Sequence, residues 1–382
     1  MPFKTEILKT SSSNAARIVK VSTSHGEFTT PAFMPVGTRA FVNYLTPKDL
    51  INAGAEIILG GNTYHMLLSP GLETIQALGG MHKMMNWSGP LLTDSGGYQV
   101  FSLQNKKIDE EGVCFSHPIT GRCIHMTPTS SLHAQKIIGA DIIMAFDQCT
   151  PDTEDKTLVK TAMERTHRWL LTSKQFHDDH PTSIYGHAQA LFGIIQGSYF
   201  KDLRQASAEF VASLNLDGVA IGGETIGYHM GKTKEILDWL QAYLPHDKLR
   251  YTMGVGLSPQ DLIDVVAQGI DMFDCVAPTR NARHGSLYHG YFMQKDNWIE
   301  FESEFENARI QIKKSHFSKD NRPILEGCLC YTCTHYSRGY LHYLFKLKSQ
   351  AFNHLACIHN IHLMQLTCVK LREKISKLHI KK

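Results

Sequence analysis

The feature that most restricts how this chain can fold is a series of short apolar runs, each ending in glycine or a polar residue. Continuous apolar runs of this length are typical of strands buried on both faces of a parallel sheet. There are eight, and amphipathic helical segments lie between several of them. Strand–helix alternation repeated eight times predicts a (βα)8 barrel, and so an α/β fold. The eight runs are Ala32–Val36, Glu56–Gly60, Pro90–Thr93, Asp141–Phe146, Leu191–Ile195, Gly218–Ile221, Tyr251–Val255 and Asp271–Val276.

A doubly wound open sheet is the alternative architecture, but no Gly-x-Gly-x-x-Gly motif opens the first unit. Helices are predicted at Asp155–His177, Asp202–Leu216 and Thr233–Leu244. At Thr46-Pro47 and Ser258-Pro259 an N-cap residue precedes a proline suited to the first helical position.

Composition excludes several other classes of protein. The chain has 382 residues, of which 42% are hydrophobic and 20% charged, with a net charge of +3. These values are those of a globular protein and neither require nor exclude a nucleic-acid partner. No apolar run approaches the roughly 18 residues of a membrane span. Because the first 20 residues are polar and the nine cysteines are odd in number, we expect a cytoplasmic protein without a disulfide framework.

Polar and glycine residues follow the predicted strands, where the loops of a (βα)8 barrel carry its chemistry. One aspartate there is explained by a helix cap or a turn. Several on one rim, together with a glutamine, predict a site. The residues after the strands are Asn62-Thr63, Asp94-Ser95-Gly96-Gly97, Asp147-Gln148, Gln196-Gly197, Gly222-Gly223-Glu224, Gly254-Val255-Gly256 and Asp274.

Two carboxylates that face one substrate suit retaining glycosyl transfer, in which one acts as acid and the other forms a covalent sugar intermediate. A third carboxylate beside Gln196 could read the hydrogen-bonding edge of guanine, which offers two donors and one acceptor. The glycines at 96, 97, 222 and 223 permit close backbone approach to a ligand. A phosphate cradle and simple tight turns are their alternative explanations.

A cysteine-rich segment follows the barrel. Cys328, Cys330 and Cys333 are close enough in sequence to hold a metal, and Cys3His is a closed tetrahedral set that suits structural zinc. Redox chemistry or loosely buried thiols are the alternative. From spacing alone the fourth ligand stays open among His335, His354, Cys357, His359 and His362.

These features divide the chain into three parts. Residues 1–280 are expected to form the barrel, with a hairpin inserted at about residues 105–127, and residues 281–360 a zinc-binding subdomain. Residues 361–382 are expected to form a basic helix on the barrel, which presents charge to RNA or is simply solvated. Arg280 and Arg283, beside Asp274, could neutralise phosphates next to a reacting nucleotide or form surface ion pairs.

Six ordered motifs and the cysteine spacing together resemble bacterial tRNA-guanine transglycosylases, also called queuine tRNA-ribosyltransferases. The resemblance extends from about Pro31 to His359. The motifs are Thr93–Gln99, Phe146–Cys149, Gly193–Gly197, Tyr251–Gly256, Phe273–Val276, Pro278–Arg280, and Cys328-x-Cys330-x2-Cys333 followed by His359.

The resemblance implies a homodimer that acts on tRNA and replaces guanine at wobble position 34 of the anticodon with a 7-deazaguanine. It implies that Asp274 is the nucleophile on ribose C1′ and that Asp94 is the general acid/base. It also implies that one structural Zn²⁺ per chain is held by Cys328, Cys330, Cys333 and His359. The implied base-binding residues are Asp94, Ser95, Gly96, Gly97, Tyr98, Asp147, Gln196, Gly223 and Met253. The implied RNA contacts are Val255, Gly256, Leu257, Ser258, Pro259, Gln260, Asp261, Thr279, Arg280, Asn281, Ala282 and Arg283.

One loop departs from the family pattern. Bacterial members usually continue after the sixth strand as Gly-Gly-Leu-(Ser/Ala)-Val-Gly-Glu, whereas this chain has an acid at Glu224 and Tyr228 after the last glycine. In the family this loop contacts the C7 substituent of the incoming base. We therefore expect acceptance of, or preference for, queuine over the aminomethyl base preQ1.

Two other classes of function are disfavoured by the same residues. A tRNA-binding subunit without activity would lose the catalytic acids, but Asp94 and Asp274 are both present. A zinc hydrolase would need histidine and carboxylate ligands at the strand ends around an open coordination position, but the residues after the strands include no histidine. Within the transglycosylases, an archaeal-type member would carry further C-terminal RNA-binding domains, which are not expected in the residues after the zinc segment.

Overall fold

A closed barrel of eight parallel strands forms the centre of the protein, as the apolar runs predict. The computed structural model describes residues 3–377. The eight strands pair in chain order, and the first is also paired with the eighth. A parallel bridge between Val36 and Leu59 joins the first strand to the second, so the sheet closes on itself. Numbered barrel strands 1 to 8, they are Ala32–Pro35, Ile58–Asn62, Leu91–Asp94, Ile142–Met144, Ala190–Ile195, Gly218–Ile221, Leu249–Thr252 and Met272–Cys275.

The eight strands match the eight predicted runs closely, although strand 7 begins two and ends three residues earlier than predicted, and strand 2 begins and ends two residues later. The predicted helices are also present, with small shifts at their ends. Both predicted proline starts carry capping boxes, in which Asp49 pairs with Thr46 and Asp261 pairs with Ser258. The helices up to the end of the barrel are Pro47–Asn52, Thr63–Leu68, Leu72–Ala77, Met81–Met85, Gly97–Phe101, Pro128–Ile138, Lys156–Asp179, Lys201–Ser213, Met230–Leu240, Pro259–Ala267 and Ala277–Arg283. No helix within residues 3–377 is both long and apolar enough to cross a membrane.

An antiparallel sheet that the sequence analysis missed covers the amino-terminal end of the barrel. Its strands are Lys4–Thr10, Arg17–Thr23 and Gly26–Thr29. Val19, Val21 and Phe28 from this sheet pack in one apolar cluster with residues of the barrel interior. The polar character noted for the first 20 residues comes partly from the solvent-facing positions of the first strand, whose residues alternate between exposed and partly buried.

A buried ion pair fixes this sheet to the barrel. Arg17 donates two hydrogen bonds to Asp271, at 2.9 and 2.6 Å, just before barrel strand 8. The Arg17 side chain is 3% exposed and that of Asp271 is fully buried. Asp271 also accepts the backbone N–H of Arg250 at 2.8 Å, so the carboxylate is well satisfied.

The predicted hairpin insertion is a three-stranded sheet, because a further strand precedes the two that were expected. Its strands are Lys106–Ile108, Val113–Ser116 and Cys123–Met126. After the barrel, two short antiparallel pairs lead to the cysteine-rich region: Ser286–Tyr288 with Arg309–Gln311, and Tyr291–Lys295 with Trp298–Glu302. Two 3-10 turns, Glu306–Ala308 and Ser315–Lys319, and the helices Tyr331–His335 and Arg338–Lys346 complete it.

The last helix, Gln350–Lys377, begins eleven residues before the predicted start at 361 and so includes part of the segment assigned to the zinc subdomain. It packs on the barrel, where Gln365 donates to the carbonyl of Phe33 at 3.0 Å. Arg372 pairs with Glu56 at 2.8 Å, so this basic side chain serves attachment to the barrel. The rest of the predicted basic helix, residues 378–382, lies outside the described residues.

Replacing Arg17 with alanine is expected to destabilise the fold by about 3–5 kcal/mol, because Asp271 would remain buried without its partner. Urea unfolding followed by circular dichroism measures this difference. Lys20→Ala is the matched control on the same strand, since Lys20 and Glu27 form an exposed pair, and it should change stability little. Equal effects of the two substitutions would contradict the role assigned to the buried pair.

Candidate active site

The loops after the barrel strands enclose one open cleft at the carboxyl-terminal end of the barrel. Its empty volume, including the mouth, is about 1030 Å³. Predicted residues of strands 3, 4, 5, 6 and 8 lie on its wall, since parallel strands in a closed barrel end at the same rim, whereas Gln148 and Gly197 do not line it. The wall residues include Asp94, Asp147, Gln196, Gly223, Glu224 and Asp274.

Asp94 ends barrel strand 3 and is held by donors on both oxygens. The amide of Asn62 donates to both carboxylate oxygens at 2.7 Å, and the backbone N–H of Gly96 donates at 3.0 Å. Burial, with a smaller contribution from the charge of Asp274, nevertheless raises the pKa of Asp94 to about 7. A carboxyl group with this pKa can give and take a proton at neutral pH.

Asp274 lies in barrel strand 8 with one oxygen fixed. That oxygen accepts from the Tyr251 hydroxyl at 2.6 Å and from the backbone N–H of Gly254 at 3.0 Å. Burial raises the pKa of Asp274, while these two donors lower it. Two donors on one oxygen leave the other oxygen available to attack an electrophile.

Asp147 and Gln196 form a polar pair on another wall of the cleft. The Gln196 amide donates to Asp147 at 2.7 Å, and the Ser95 hydroxyl donates to the other carboxylate oxygen at 3.3 Å. Burial raises the pKa of Asp147 to about 6, so the group is ionised at neutral pH. Within residues 3–377 the buried Oε1 of Gln196 has no hydrogen-bond partner. This pair therefore offers both acceptors and a donor to the edge of a planar ligand.

Two glycines bring the backbone close to this pair. A Cβ at Gly97 would lie 2.6 Å from an Asp147 oxygen. Gly223 has a φ of +120°, and a Cβ there would lie 2.9 Å from the Arg204 guanidinium. Close approach to site side chains thus accounts for glycine at these two positions.

Arg204, which the sequence analysis did not single out, supports the Gly222-Gly223 loop from below. The fully buried guanidinium donates to the carbonyls of Ser198, Ile195 and Gly222 at 2.8 to 2.9 Å. Burial lowers its pKa to about 10. It ties the ends of barrel strands 5 and 6 together and so sets the position of the Gly223 N–H.

The loop that departs from the family pattern lines the mouth of the cleft. One Glu224 oxygen accepts the backbone N–H of Asp152 at 2.8 Å, which holds this exposed carboxylate at the cleft wall. Tyr228 is 61% exposed and Tyr98, also on the cleft wall, is 47% exposed. Burial, followed by Tyr228 and Glu224, raises the pKa of Tyr98, so these three side chains lie near one another.

The two segments predicted to contact RNA flank the same cleft. Leu257 and Arg280 line it, and the Arg280 side chain is exposed. Neither Arg280 nor Arg283 forms a salt bridge within the described part of the chain, which disfavours surface ion pairing as their explanation. Val255 and Ala282 are fully buried, so their side chains are not available to a large ligand.

The predicted metal ligands come together away from this cleft. The Sγ atoms of Cys328, Cys330 and Cys333 lie 3.8, 3.5 and 3.3 Å from Nδ1 of His359. Nε2 of His359 bonds to the Tyr288 carbonyl at 2.8 Å, so its proton is on Nε2 and the Nδ1 lone pair faces the sulfurs. The four side chains form a group that could hold a metal ion. Among the other candidates, His335, His354 and Cys357 bond to backbone carbonyls elsewhere.

Two positioning residues were visible in the sequence but received no role. Asn62 is the last residue of barrel strand 2, so its place on the rim could be read from the strand end. Tyr251 sits inside an apolar run, where an inward-facing tyrosine must find a polar partner for its hydroxyl. That partner, Asp274, is known only from the pairing of strands 7 and 8.

Comparisons with known proteins agree with the geometry. Residues 11–381 match the family described as queuine tRNA-ribosyltransferase. A queuine tRNA-ribosyltransferase of Staphylococcus epidermidis is 44% identical over 377 residues, which is 98% of this chain and 93% of that protein. Proteins of the same name from Caldanaerobacter subterraneus and Staphylococcus aureus are each 43% identical, with the same two shares covered.

Replacing Asp94 with asparagine should make stability less dependent on pH. The native pKa of about 7 lies above the unfolded value near 4, so the native state holds the proton more tightly. Wild-type stability must then fall as pH rises from about 4 to 7, and asparagine removes this loss. Urea unfolding should show the variant gaining about 2–3 kcal/mol on wild type between pH 5 and pH 8. A constant difference across that interval would show that Asp94 does not titrate as described.

Proposed function

This chain belongs to the queuine tRNA-ribosyltransferase family and is a tRNA-guanine transglycosylase, and we propose that it exchanges guanine at wobble position 34 of tRNA for a 7-deazaguanine. One observation carries the proposal: a single cleft joins two interacting carboxylates, Asp94 and Asp274, to the donor–acceptor pair of Asp147 and Gln196. The first two supply glycosyl-transfer chemistry and the second two suit a guanine edge.

In the first half of the reaction, an Asp274 carboxylate oxygen attacks C1′ of the ribose while the bond from C1′ to guanine N9 breaks. Protonated Asp94 gives its proton to the departing base, so guanine leaves neutral and Asp94 becomes ionised. The free oxygen of Asp274 is the attacking atom, because Tyr251 and Gly254 hold the other one. The product is an ester between Asp274 and the ribose.

The second half reverses these roles. Ionised Asp94 takes the N9 proton of the incoming 7-deazaguanine, and N9 attacks C1′ and releases Asp274. Two displacements at one carbon retain its configuration. The bond energy is conserved in the covalent ester, so no ATP or redox cofactor is required.

Base recognition follows from the donors and acceptors of the cleft. Ionised Asp147 accepts from N1–H and the 2-amino group of guanine, and the second N–H of the Gln196 amide and the N–H of Gly223 donate to O6. Ser95, Gly96 and Gly97 complete the wall, while Tyr98 stacks on the base and Met253 covers its other face. Because the base must leave its stack to reach a cleft at the rim, the unpaired anticodon loop is a suitable substrate.

The RNA on either side of the reacting nucleotide would lie along residues 255–261 and 279–283. Arg280 is the strongest candidate for a phosphate contact, since its exposed guanidinium borders the cleft. The cytoplasm, where tRNA is found, is the proposed location.

The Cys3His group is proposed to hold one structural Zn²⁺ per chain. Its donor set is closed, since three thiolates and Nδ1 of His359 fill a tetrahedral ion and leave no position for a catalytic water. None of the four side chains is among the described residues that line the cleft. When bound, the ion would tie the segment around Cys328 to the last helix, which carries His359.

A homodimer is proposed through the exposed apolar side chains around this metal group. Leu329, Tyr331, Tyr340, Tyr343 and Leu347 are each at least 44% exposed in the single chain. Exposed aromatic and aliphatic side chains are enriched at protein interfaces.

The altered loop is proposed to admit queuine, the bulkier 7-deazaguanine. Glu224 places a carboxylate at the mouth of the cleft, where it can pair with the amine of a C7 substituent. Tyr228 is largely exposed and leaves the outer part of the cleft open for a larger group.

Labelled guanine, preQ1 and queuine should each be offered to the enzyme with an unmodified tRNA that carries guanine at position 34. Wild type should incorporate guanine, and Asp274→Asn should lower exchange by on the order of 10³-fold or more and form no covalent RNA adduct. The variant should still bind tRNA, as measured by a mobility shift. A tRNA with adenine at position 34 is the substrate control, and exchange that survives in Asp274→Asn would refute the nucleophile.

In the same assay queuine should be transferred with a higher kcat/KM than preQ1. Glu224→Gln should lower kcat/KM about tenfold for both amine-bearing bases, as expected for loss of one charge-assisted hydrogen bond. Guanine has no such amine and is the internal control, so its exchange should be unchanged. Equal or better use of preQ1 by wild type would count against the assigned preference.

A further inference from the structure

Three imidazoles and one carboxylate cluster at the end of the barrel opposite to the active-site cleft. Asp141 directly precedes barrel strand 4, and His187 lies three residues before barrel strand 5. His25 lies in the turn between the second and third strands of the amino-terminal sheet, and His82 in the helix Met81–Met85. Segments far apart in sequence thus converge on one carboxylate.

Two of the imidazoles point ring nitrogens at Asp141. Nδ1 of His25 is 2.8 Å from one carboxylate oxygen, and Nε2 of His82 is 3.3 Å from the other. Nε2 of His82 also lies 3.2 Å from the Gly89 carbonyl oxygen, a contact that a bound ion would replace. Their rings are stacked, with centroids 3.6 Å apart and planes within 16°. The three ligand atoms, one from each side chain, all lie within 4.8 Å of one another.

His187 closes the cluster without being a ligand. Its ring packs edge-on against His25 at 4.6 Å. Its own nitrogens bond to the Ser183 hydroxyl at 3.0 Å and to the Gly139 carbonyl at 3.1 Å. Both nitrogens are therefore used, and His187 fixes the plane of the neighbouring ring.

The charges of the cluster favour a cation. The Asp141 side chain is fully buried, and its other close donor is the backbone N–H of Leu91, at 3.0 Å. A divalent ion bound between the nitrogens and the carboxylate would balance the buried charge of Asp141.

We propose that His25, His82 and Asp141 form a second metal site, selective for a divalent transition metal such as Zn²⁺ or Co²⁺. Two imidazoles and one carboxylate are ligands that these ions prefer. Three protein ligands leave a coordination position for water, on the side where the His25 side chain is 27% exposed. The bound ion would fasten the amino-terminal sheet to the barrel. This site is independent of the proposed base exchange.

The test uses full-length protein with its Cys3His group already loaded with zinc, titrated with Co²⁺. Wild type should bind one Co²⁺ per chain with weak visible bands and without the intense thiolate-to-cobalt absorption of a cysteine site. Binding should raise the unfolding temperature. It should weaken at least tenfold between pH 7.5 and pH 5.5, because protons compete for the imidazoles.

His25→Gln and His82→Gln should each lose this binding, and His187→Gln is the matched control that should retain it. All three variants should keep base exchange, since the cluster lies at the opposite end of the barrel. Absence of Co²⁺ binding by wild type would overturn the proposal, a result that does not depend on any variant folding. Unchanged binding by His25→Gln would overturn it as well.

Discussion

Closure of the parallel barrel is the constraint on which the rest of this structure depends. The bridge between Val36 and Leu59 joins the first strand to the second, so all eight strands end at one rim. Asp94, Asp147 and Asp274 are separated by up to 180 residues of chain, yet closure brings them to a single cleft. Backbone N–H groups of short rim loops then orient the carboxylates. The N–H of Gly96 donates to Asp94, and that of Gly254, in the loop after strand 7, donates to Asp274.

Burying three carboxylates in one cleft costs desolvation free energy, and the proposed chemistry uses the pKa shifts that this burial causes. Burial raises the pKa of all three, to about 7 for Asp94 and about 6 for Asp147. In the proposed mechanism the acid that shuttles a proton needs a pKa near neutrality, whereas the nucleophile and the base-reading acceptor must stay ionised. The hydrogen-bond donors around each carboxylate separate these roles. Stability is supplied elsewhere, at the other end of the barrel, where the pair of Arg17 and Asp271 is fully satisfied.

Clusters of polar and sulfur-containing side chains help to attach the outer segments to the barrel, whereas the core is held by apolar packing. The Cys3His group joins the segment around Cys328 to the last helix, and the cluster around Asp141 joins the amino-terminal sheet to the barrel strands. Both tie together parts of the chain distant in sequence, in addition to the apolar contacts of these segments. Metal ions bound at these two groups would hold peripheral elements in place without altering the cleft, because neither group lines it among the described residues.

The sequence by itself determined the barrel, the rim residues and the cysteine ligands, because each depends on local pattern: apolar runs, residues just after them, and close spacing. Only the tertiary structure decided which rim residues are partners, such as Tyr251 with Asp274 or Asn62 with Asp94, since these contacts cross between strands. The same holds for the amino-terminal sheet, whose short alternating strands look polar until the barrel interior they cover is known. It holds also for His25, His82 and Asp141, because no spacing along the chain records that these three distant segments meet.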